Sequence, residues 1–290
     1  MSLDKPSPDL PLNSTGPVGI FDSGLGGLSV LRHVQQQLPQ EDLLYVADTG
    51  FAPYGGKPED VVVARSVAIA EFLLQRGAKA LVVACNTATA AAIKALRERH
   101  PTLSVVGVEP GLKPAAAQTQ SRIVGVLATA LTLSTAKFEQ LHEQISTTSK
   151  VQFIRQPCVG LVDAIERGER DTPETIALIE RYVRPLIEQG ADTLVLGCTH
   201  YPFVQTQIER IARDTTNRPV TIIDTGDAVA RQLRRLLEQH QLRHPEDHQG
   251  QLEAFTTASA QALSAAFINL LEIQVKTSEI TLQDQLTAAN

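Results

Sequence analysis

Leu81-Val82-Val83-Ala84-Cys85-Asn86-Thr87-Ala88-Thr89 recurs 113 residues later as Leu194-Val195-Leu196-Gly197-Cys198-Thr199-His200-Tyr201. In each copy a short apolar run ends on a cysteine followed by polar residues. The run-ins Gly77-Ala78-Lys79-Ala80 and Gly190-Ala191-Asp192-Thr193 keep the same spacing. Four or five β-prone residues after a glycine read as a fully buried strand, and the Ala-rich or amphipathic segment beyond each cysteine reads as a helix. Each thiol is therefore expected at the carboxyl end of a strand, just ahead of a helix N-terminus. In open α/β sheets ligands bind at that edge, and the free N–H groups of a helix start favour a thiolate or a substrate carboxylate. A lone buried cysteine is usually a packing residue; two in matched contexts point to chemistry.

The repetition extends outward from the thiols. Val18-Gly19-Ile20-Phe21-Asp22 reads as a strand that runs through the glycine turn Ser23-Gly24-Leu25-Gly26-Gly27 into a helix over Leu28–Leu38. Its counterpart, Val124-Gly125-Val126-Leu127-Ala128-Thr129, starts 106 residues later, and Val105–Glu109 is answered by Val220–Thr225. Strands alternating with helices imply parallel sheets, and two copies mean an internal duplication rather than a solenoid. The expected fold is α/β, with two pseudo-symmetric doubly wound domains, mostly parallel sheets, and the active site in the interdomain cleft. Residues 17–113 and 227–274 are assigned to the first domain and 114–226 to the second. Residues 1–16, rich in proline, are expected to be a flexible arm, and 275–290 a disordered tail.

The chain's 290 residues suit two domains, each large enough for its own core. With 43% apolar and 20% charged residues the composition is that of a soluble globular protein. A net charge of −6 gives no electrostatic footprint for nucleic acid or an anionic membrane. Three cysteines are too few, and odd in number, for a disulfide framework, so a reducing cytoplasm is the expected location. They show no Cys-x-x-Cys spacing, and no metal is expected. No apolar run is long enough for a membrane helix, and the first residues lack the apolar stretch of a signal peptide.

The spacing Gly24-x-Gly26-Gly27 matches neither a dinucleotide fingerprint nor a P-loop. From the loop alone two readings stand equally: backbone amides approaching a small anionic ligand, with Asp22 and Ser23 at the lip, or a plain turn with a capping serine. The stretch Thr49–Pro58 carries too much Pro and Gly for an element interior and reads as a loop at the same sheet edge.

Two thiols on either side of a small ligand suit inversion at a carbon that bears an acidic hydrogen. One removes the proton as thiolate from one face while the other delivers a proton as thiol from the opposite face. An unperturbed thiol pKa of about 8.5 keeps both states within reach near neutrality. No cofactor signature is present to carry the charge instead, and no cofactor is expected.

Phe21-Asp22-Ser23-Gly24-x-Gly26-Gly27-Leu28-Ser29-Val30-Leu31, Asp48 with Pro53-Tyr54-Gly55, Ala84–Thr89 and Gly197-Cys198-Thr199-His200-Tyr201-Pro202 together resemble the glutamate racemase family, in order, over residues 18–272. The resemblance implies cofactor-independent interconversion of L- and D-glutamate, the D-isomer being a building block of peptidoglycan. It makes Cys85 and Cys198 the acid/base pair, the first acting on D-glutamate and the second on L-glutamate. It implies that Asp22, Ser23, Pro53, Tyr54, Gly55, Asn86, Thr87, Thr199 and His200 line the substrate and that Thr129 and Thr132 bind its distal end. Asp22 and His200 would also assist the proton transfers, and Glu166, eight residues after Cys158, would orient His200. A solvated helix carboxylate is the alternative for Glu166. Cys158 has no equivalent in the first half and reads as a packing residue, and the other six histidines are expected to be solvated or structural. The resemblance also implies a homodimer and allows an effector related to a cell-wall precursor, for which the arm shows no site. The chain departs from the family pattern at Ala128, where many members have Gly, and at Val159, where Pro commonly stands.

Aspartate racemase or another two-cysteine relative is the nearest rival, and a non-catalytic amino-acid-binding protein the more distant one. His200 favours glutamate, because the aspartate enzymes resemble this region with an acidic residue after Cys-Thr. Two opposed bases have no use in a pure binder.

Overall fold

The computed structural model describes residues 13–282. In chain order the elements are β1 (Val18–Asp22), α1 (Leu28–Gln37), β2 (Leu43–Ala47), α2 (Glu59–Gln75), β3 (Ala80–Val83), α3 (Asn86–Arg99) and β4 (Ser104–Gly107). There follow α4 (Leu112–Gln118), β5 (Ile123–Ala128), α5 (Ala130–Ser134), α6 (Ala136–Ser149), β6 (Gln152–Pro157), α7 (Leu161–Glu166), α8 (Pro173–Glu188), β7 (Thr193–Gly197), α9 (Gln205–Thr215) and β8 (Thr221–Ile223). The last elements of the described part are α10 (Gly226–Gln239), β9 (Leu252–Thr256), α11 (Ala260–Leu271) and β10 (Lys276–Glu279). It divides into two compact units, one of residues 1–108 with 226–290 and one of 109–225.

The first unit holds a six-stranded sheet in the order β10-β9-β2-β1-β3-β4, the second a four-stranded sheet in the order β6-β5-β7-β8. Every strand pairing among the described residues is parallel. The four strands β2-β1-β3-β4 and their counterparts β6-β5-β7-β8 follow one order, so the duplication read from the sequence is also a duplication of topology.

Parallel strands covered on both faces need apolar residues throughout, and β1, β3 and β7 are buried along their whole length. Alternation sorts side chains between faces. In β5, Val124, Val126 and Ala128 join one core layer with Phe138 and Val195, while Leu127 joins the other with Ile179, Val183 and Leu196. Helices present a buried stripe at helical spacing, as in α10 with Val229, Ala230, Leu233 and Leu237. α8 begins on Thr172, whose side chain accepts the Thr175 N–H, with Pro173 in the first turn, where a missing N–H costs nothing.

The structure corrects several expectations. Residues 13–16 of the arm form a turn fastened to the first unit, and residues 1–12 lie outside the described part. The cause is Lys79, a fully buried lysine that needs acceptors: its Nζ lies 2.6 Å from Glu41 Oε2 and donates to the Ser14 carbonyl at 2.5 Å. Part of the expected disordered tail is the edge strand β10, paired with β9, and residues 283–290 lie outside the described part. The chain passes into the second unit at Glu109 rather than after Lys113, and returns at Gly226 rather than Asp227. The first difference arises because α4, absent from the sequence reading, packs within the second unit; Pro114 is tolerated in its first turn. The helices α5 and α6 are separated at Thr135, whose extended backbone and hydroxyl cap the second.

Candidate active site

In the first unit, strand register sets the site. Phe21 pairs with Val83 and Asp22 with Ala47, so Ser23 stands level with Cys85 on one side and Asp48 on the other, at the carboxyl edge of the sheet. Cys85 is the N-cap of α3: Ala88 N–H donates to its sulfur at 3.4 Å, and Ser23 Oγ lies 3.5 Å from it. The thiol is thus given a backbone donor that a thiolate can use. Asp22 is fully buried, and its Oδ2 accepts the N–H groups of Gly24 at 3.1 Å and Gly27 at 3.0 Å. Its observed work is to brace the glycine loop beside Cys85. Gly27 must lack a side chain, because a Cβ there would come within 2.6 Å of Asp22 Cβ.

Asn86 and Thr87 follow Cys85 in the first turn of α3, both buried. Asn86 Nδ2 donates to the Val108 carbonyl at 3.5 Å, while its Oδ1 is buried without a hydrogen-bond partner among the described residues. A buried acceptor beside a thiol has unused capacity for an ammonium group.

Tyr54 lies in a single 3₁₀ turn, Tyr54–Gly56, and donates its hydroxyl to Asp48 at 2.6 Å. Burial, followed by the charge of Asp48, holds its phenol well above the ordinary range, so it stays protonated. With the hydroxyl engaged, what Pro53, Tyr54 and Gly55 offer a ligand is backbone. Asp48 is a hub: Arg65 grips both oxygens at 2.8 Å and Thr257 donates at 2.7 Å. Sequence reasoning missed both partners. Arg65 left a signal, an isolated charge within the apolar run of α2; Thr257, from beyond β9, left none.

In the second unit Ala128 pairs with Gly197, which sets Thr129 level with Cys198 at the carboxyl edge of that sheet. Thr129 caps α5, accepting the Thr132 N–H at 3.2 Å and donating to Thr132 Oγ1 at 2.9 Å, so these two hydroxyls are brought together. Ala128, where the family pattern favours Gly, is matched by Gly197, at which a Cβ would lie 3.0 Å from that of Ala128.

The segment after Cys198 differs from the expected helix start. Cys198, Thr199 and His200 lead into a 3₁₀ turn, Tyr201–Val204, and α9 begins only at Gln205. Pro202 supplies no N–H for a helix built directly on the cysteine. The turn aims His200 back at the sulfur: Nδ1 lies 3.7 Å from Cys198 Sγ, and Nε2 lies 2.6 Å from Glu166 Oε1 at the end of α7. Cys198, Thr199 and His200 are buried, whereas the Glu166 side chain is 25% exposed. The structure therefore assembles thiol, imidazole and carboxylate in series. Cys158 is buried nearby in the same core cluster, and burial pushes its thiol up to about 12, which keeps it neutral. That agrees with a packing role.

Each unit thus carries a thiol at the equivalent strand end, with its own polar support. Residues 19–233 match the family model described as Asp/Glu/Hydantoin racemase. A glutamate racemase of Ectopseudomonas mendocina is 56% identical over 229 residues, covering 79% of this chain and 85% of the relative. One of Cupriavidus pinatubonensis is 46% identical over 274 residues, covering 94% and 98%. Among solved structures, glutamate racemase isoform RacE1 from Bacillus anthracis is similar with a TM-score of 0.83 at 30% identity, over 92% of this chain and 98% of that one. The Escherichia coli glutamate racemase, solved with L-glutamate and the activator UDP-MurNAc-Ala, gives a TM-score of 0.79 at 31% identity, over 92% and 99%. Matched along most of its length in sequence and in fold, with a cysteine at the same strand end of each half, the chain belongs to the Asp/Glu/Hydantoin racemase family and, within it, groups with the glutamate racemases.

Proposed function

We propose that the protein interconverts L- and D-glutamate without a cofactor, Cys198 exchanging the α-proton on the L-face and Cys85 on the D-face. The observation that carries this reading is the pair of thiols at duplicated strand ends, each with a different hydrogen-bonding partner suited to a sulfur that alternates between thiol and thiolate. Starting from L-glutamate, the Cys198 thiolate takes the α-proton, with His200 and Glu166 easing the change of charge. The carbanion formed is reprotonated by the Cys85 thiol from the other face, leaving Cys85 as thiolate. The unpartnered Oδ1 of Asn86 is suited to the substrate ammonium, Ser23 and Thr199 flank the thiols, and Thr129 and Thr132 are the candidates for the distal carboxylate.

Glutamate rather than aspartate is supported by His200, by the glutamate racemase relatives and by the L-glutamate bound to the E. coli protein. The D-isomer would feed peptidoglycan synthesis in the cytoplasm. The activator of that relative makes a UDP-linked cell-wall precursor the effector to test, and a homodimer the assembly to test. No helix among the described residues is long and apolar enough to cross a membrane.

The test is racemisation of pure L-glutamate and of pure L-aspartate, followed by circular dichroism without added cofactor. Cys85→Ser and Cys198→Ser should each abolish turnover of glutamate, and product formed in D₂O should carry deuterium at the α-carbon. Undiminished turnover in either variant, or product retaining its original hydrogen, would remove the paired-thiol mechanism.

A further inference from the structure

Thr89 closes the motif that begins at Cys85, yet no step of the racemisation described above calls on it. The residue is buried in α3, four positions past the thiol. Strands β3 and β4 are paired as far as Val83 and Gly107. Beyond that pair, the next rung of a parallel ladder would run from the Val108 N–H to the Val83 carbonyl. The Thr89 hydroxyl stands there instead, accepting the Val108 N–H at 3.0 Å and donating to the Val83 carbonyl at 3.1 Å. The backbone N–H of Thr89 donates to the Cys85 carbonyl at 2.8 Å. One residue thus holds the main chain at Cys85 itself and at Val83, two positions before it.

Two neighbours tie this bridge to the site. Val108 is held at both of its polar groups, because Asn86 Nδ2 donates to its carbonyl at 3.5 Å. The residue that keeps Val108 in place therefore also keeps Asn86, whose Oδ1 faces no partner, in its orientation. On the other side, Gly107 leaves the Thr89 side chain its room: a Cβ there would lie 2.5 Å from Thr89 Cγ2 and 3.0 Å from its Oγ1. The second half has no such bridge from this position. Four residues past Cys198 stands Pro202, which has no hydroxyl and no N–H to offer.

We propose that Thr89 is a positioning residue for proton exchange at Cys85, an inference that rests on the two-thiol reading above. Its hydroxyl spaces the ends of β3 and β4 and so sets where the thiol and the Asn86 amide meet the substrate. Without it, a buried N–H and a buried carbonyl are left unpaired, which is costly, and they regain a bond only if the strand ends draw together. Such a movement carries Ala84 and Cys85 with it. A displacement of about 1 Å at a reacting group can cost about a hundredfold in rate.

Thr89→Val keeps the shape of the side chain and removes the hydroxyl. Its kcat/KM for glutamate should fall by about tenfold or more, equally in the two directions. With α-deuterated substrates, the primary isotope effect should increase from D-glutamate, whose proton goes to Cys85, and shrink from L-glutamate. Thr89→Ser, which keeps the hydroxyl, should return turnover and both isotope effects to the wild-type values. A residue that only stabilised the fold would lower the active fraction and leave both isotope effects unmoved. Because an isotope effect is a ratio, it can be read on whatever fraction of a variant folds. Should Thr89→Val fold poorly, Gly107→Ala displaces the Thr89 side chain from the β4 side and should give the same pattern. Undiminished turnover in Thr89→Val, isotope effects that stay unchanged or move together, or a Thr89→Ser variant no better than Thr89→Val would overturn the inference. Cys85→Ser separates it from the reading beneath it. If that variant still turns over glutamate, the two-thiol reading falls and the role of Thr89 with it; if it is inactive while Thr89→Val behaves as wild type, only the role of Thr89 falls.

Discussion

Replacing Glu166 with glutamine removes one negative charge while keeping size and one acceptor, at the point where the proposed relay is most specific. Glu166 Oε1 lies 2.6 Å from His200 Nε2, and the ring's other nitrogen lies 3.7 Å from Cys198 Sγ. A hydrogen bond to a charged group contributes about 1.5–3 kcal/mol. The carboxylate is 25% exposed, so water replaces part of the interaction, and the lower end, about 1.5 kcal/mol or roughly tenfold in rate, is the expected loss. Enantiomers have equal free energies, so kcat/KM must fall equally in the two directions. The direction-specific signal is the primary isotope effect. A weakened Cys198 makes proton abstraction from L-glutamate more fully rate-limiting, so the effect with α-deuterated L-glutamate should increase. From D-glutamate, abstraction at Cys85 becomes more reversible, and the effect should shrink. Circular dichroism on both deuterated enantiomers measures it. An unchanged kcat/KM, or isotope effects that move together or in the reverse sense, would refute the assignment of the relay to the L-face.

Two further outcomes concern stability. Asp192 is pushed up by burial, but donors from Thr119, Ser121, Gln120 and Thr193 outweigh this and hold its carboxyl below the ordinary 3.8. Its stabilisation is therefore present above the unfolded value and lost as pH falls through the lowered folded value; Asp192→Asn should cost roughly 1–2 kcal/mol at pH 7, with the gap to wild type in urea titrations narrowing as the pH is taken below the ordinary carboxylate range. Arg65→Met strands the buried Asp48 carboxylate, which keeps only its hydroxyl donors Tyr54 and Thr257. About 3 kcal/mol, the low end for a broken buried pair, should be lost in denaturant unfolding together with a rise in KM; a loss under about 1 kcal/mol would show that Asp48 does not depend on Arg65.

The sequence exposed what depends on local pattern. Glycine-bounded apolar runs marked the strands, and the repeated Leu-Val-x-x-Cys context marked both thiols. What stayed hidden depends on distant partners. The Asn13–Gly16 turn is ordered by Lys79, whose burial no local pattern reveals. β10 is a polar strand, Lys276–Glu279, recognisable only once β9 is there to pair with it. α4 carries Pro114 and an alanine run with little amphipathic signal, so its existence and the true crossing at Glu109 were not legible. At the site, the motif around Tyr54 gives no sign that Asp48 occupies its hydroxyl, because that contact depends on how the loop folds back on the end of β2.

Duplication and divergence have separate causes in this chain. Strand order and register are the same in both halves and deliver each cysteine to the carboxyl edge of its sheet. What supports each sulfur is decided by the few residues that follow. After Cys85, Asn-Thr-Ala-Thr followed by three alanines lets α3 start at once, so a main-chain N–H reaches the sulfur. After Cys198, Tyr201-Pro202 delays the helix and turns His200 inward, so support comes from a side-chain relay. A main-chain donor survives nearly any side-chain substitution, whereas a relay can be interrupted at each member. Substitutions around Cys198 should therefore alter catalysis stepwise, through His200 and Glu166, while those around Cys85 act mainly by disturbing the glycine loop and Ser23 that hold the thiol in place.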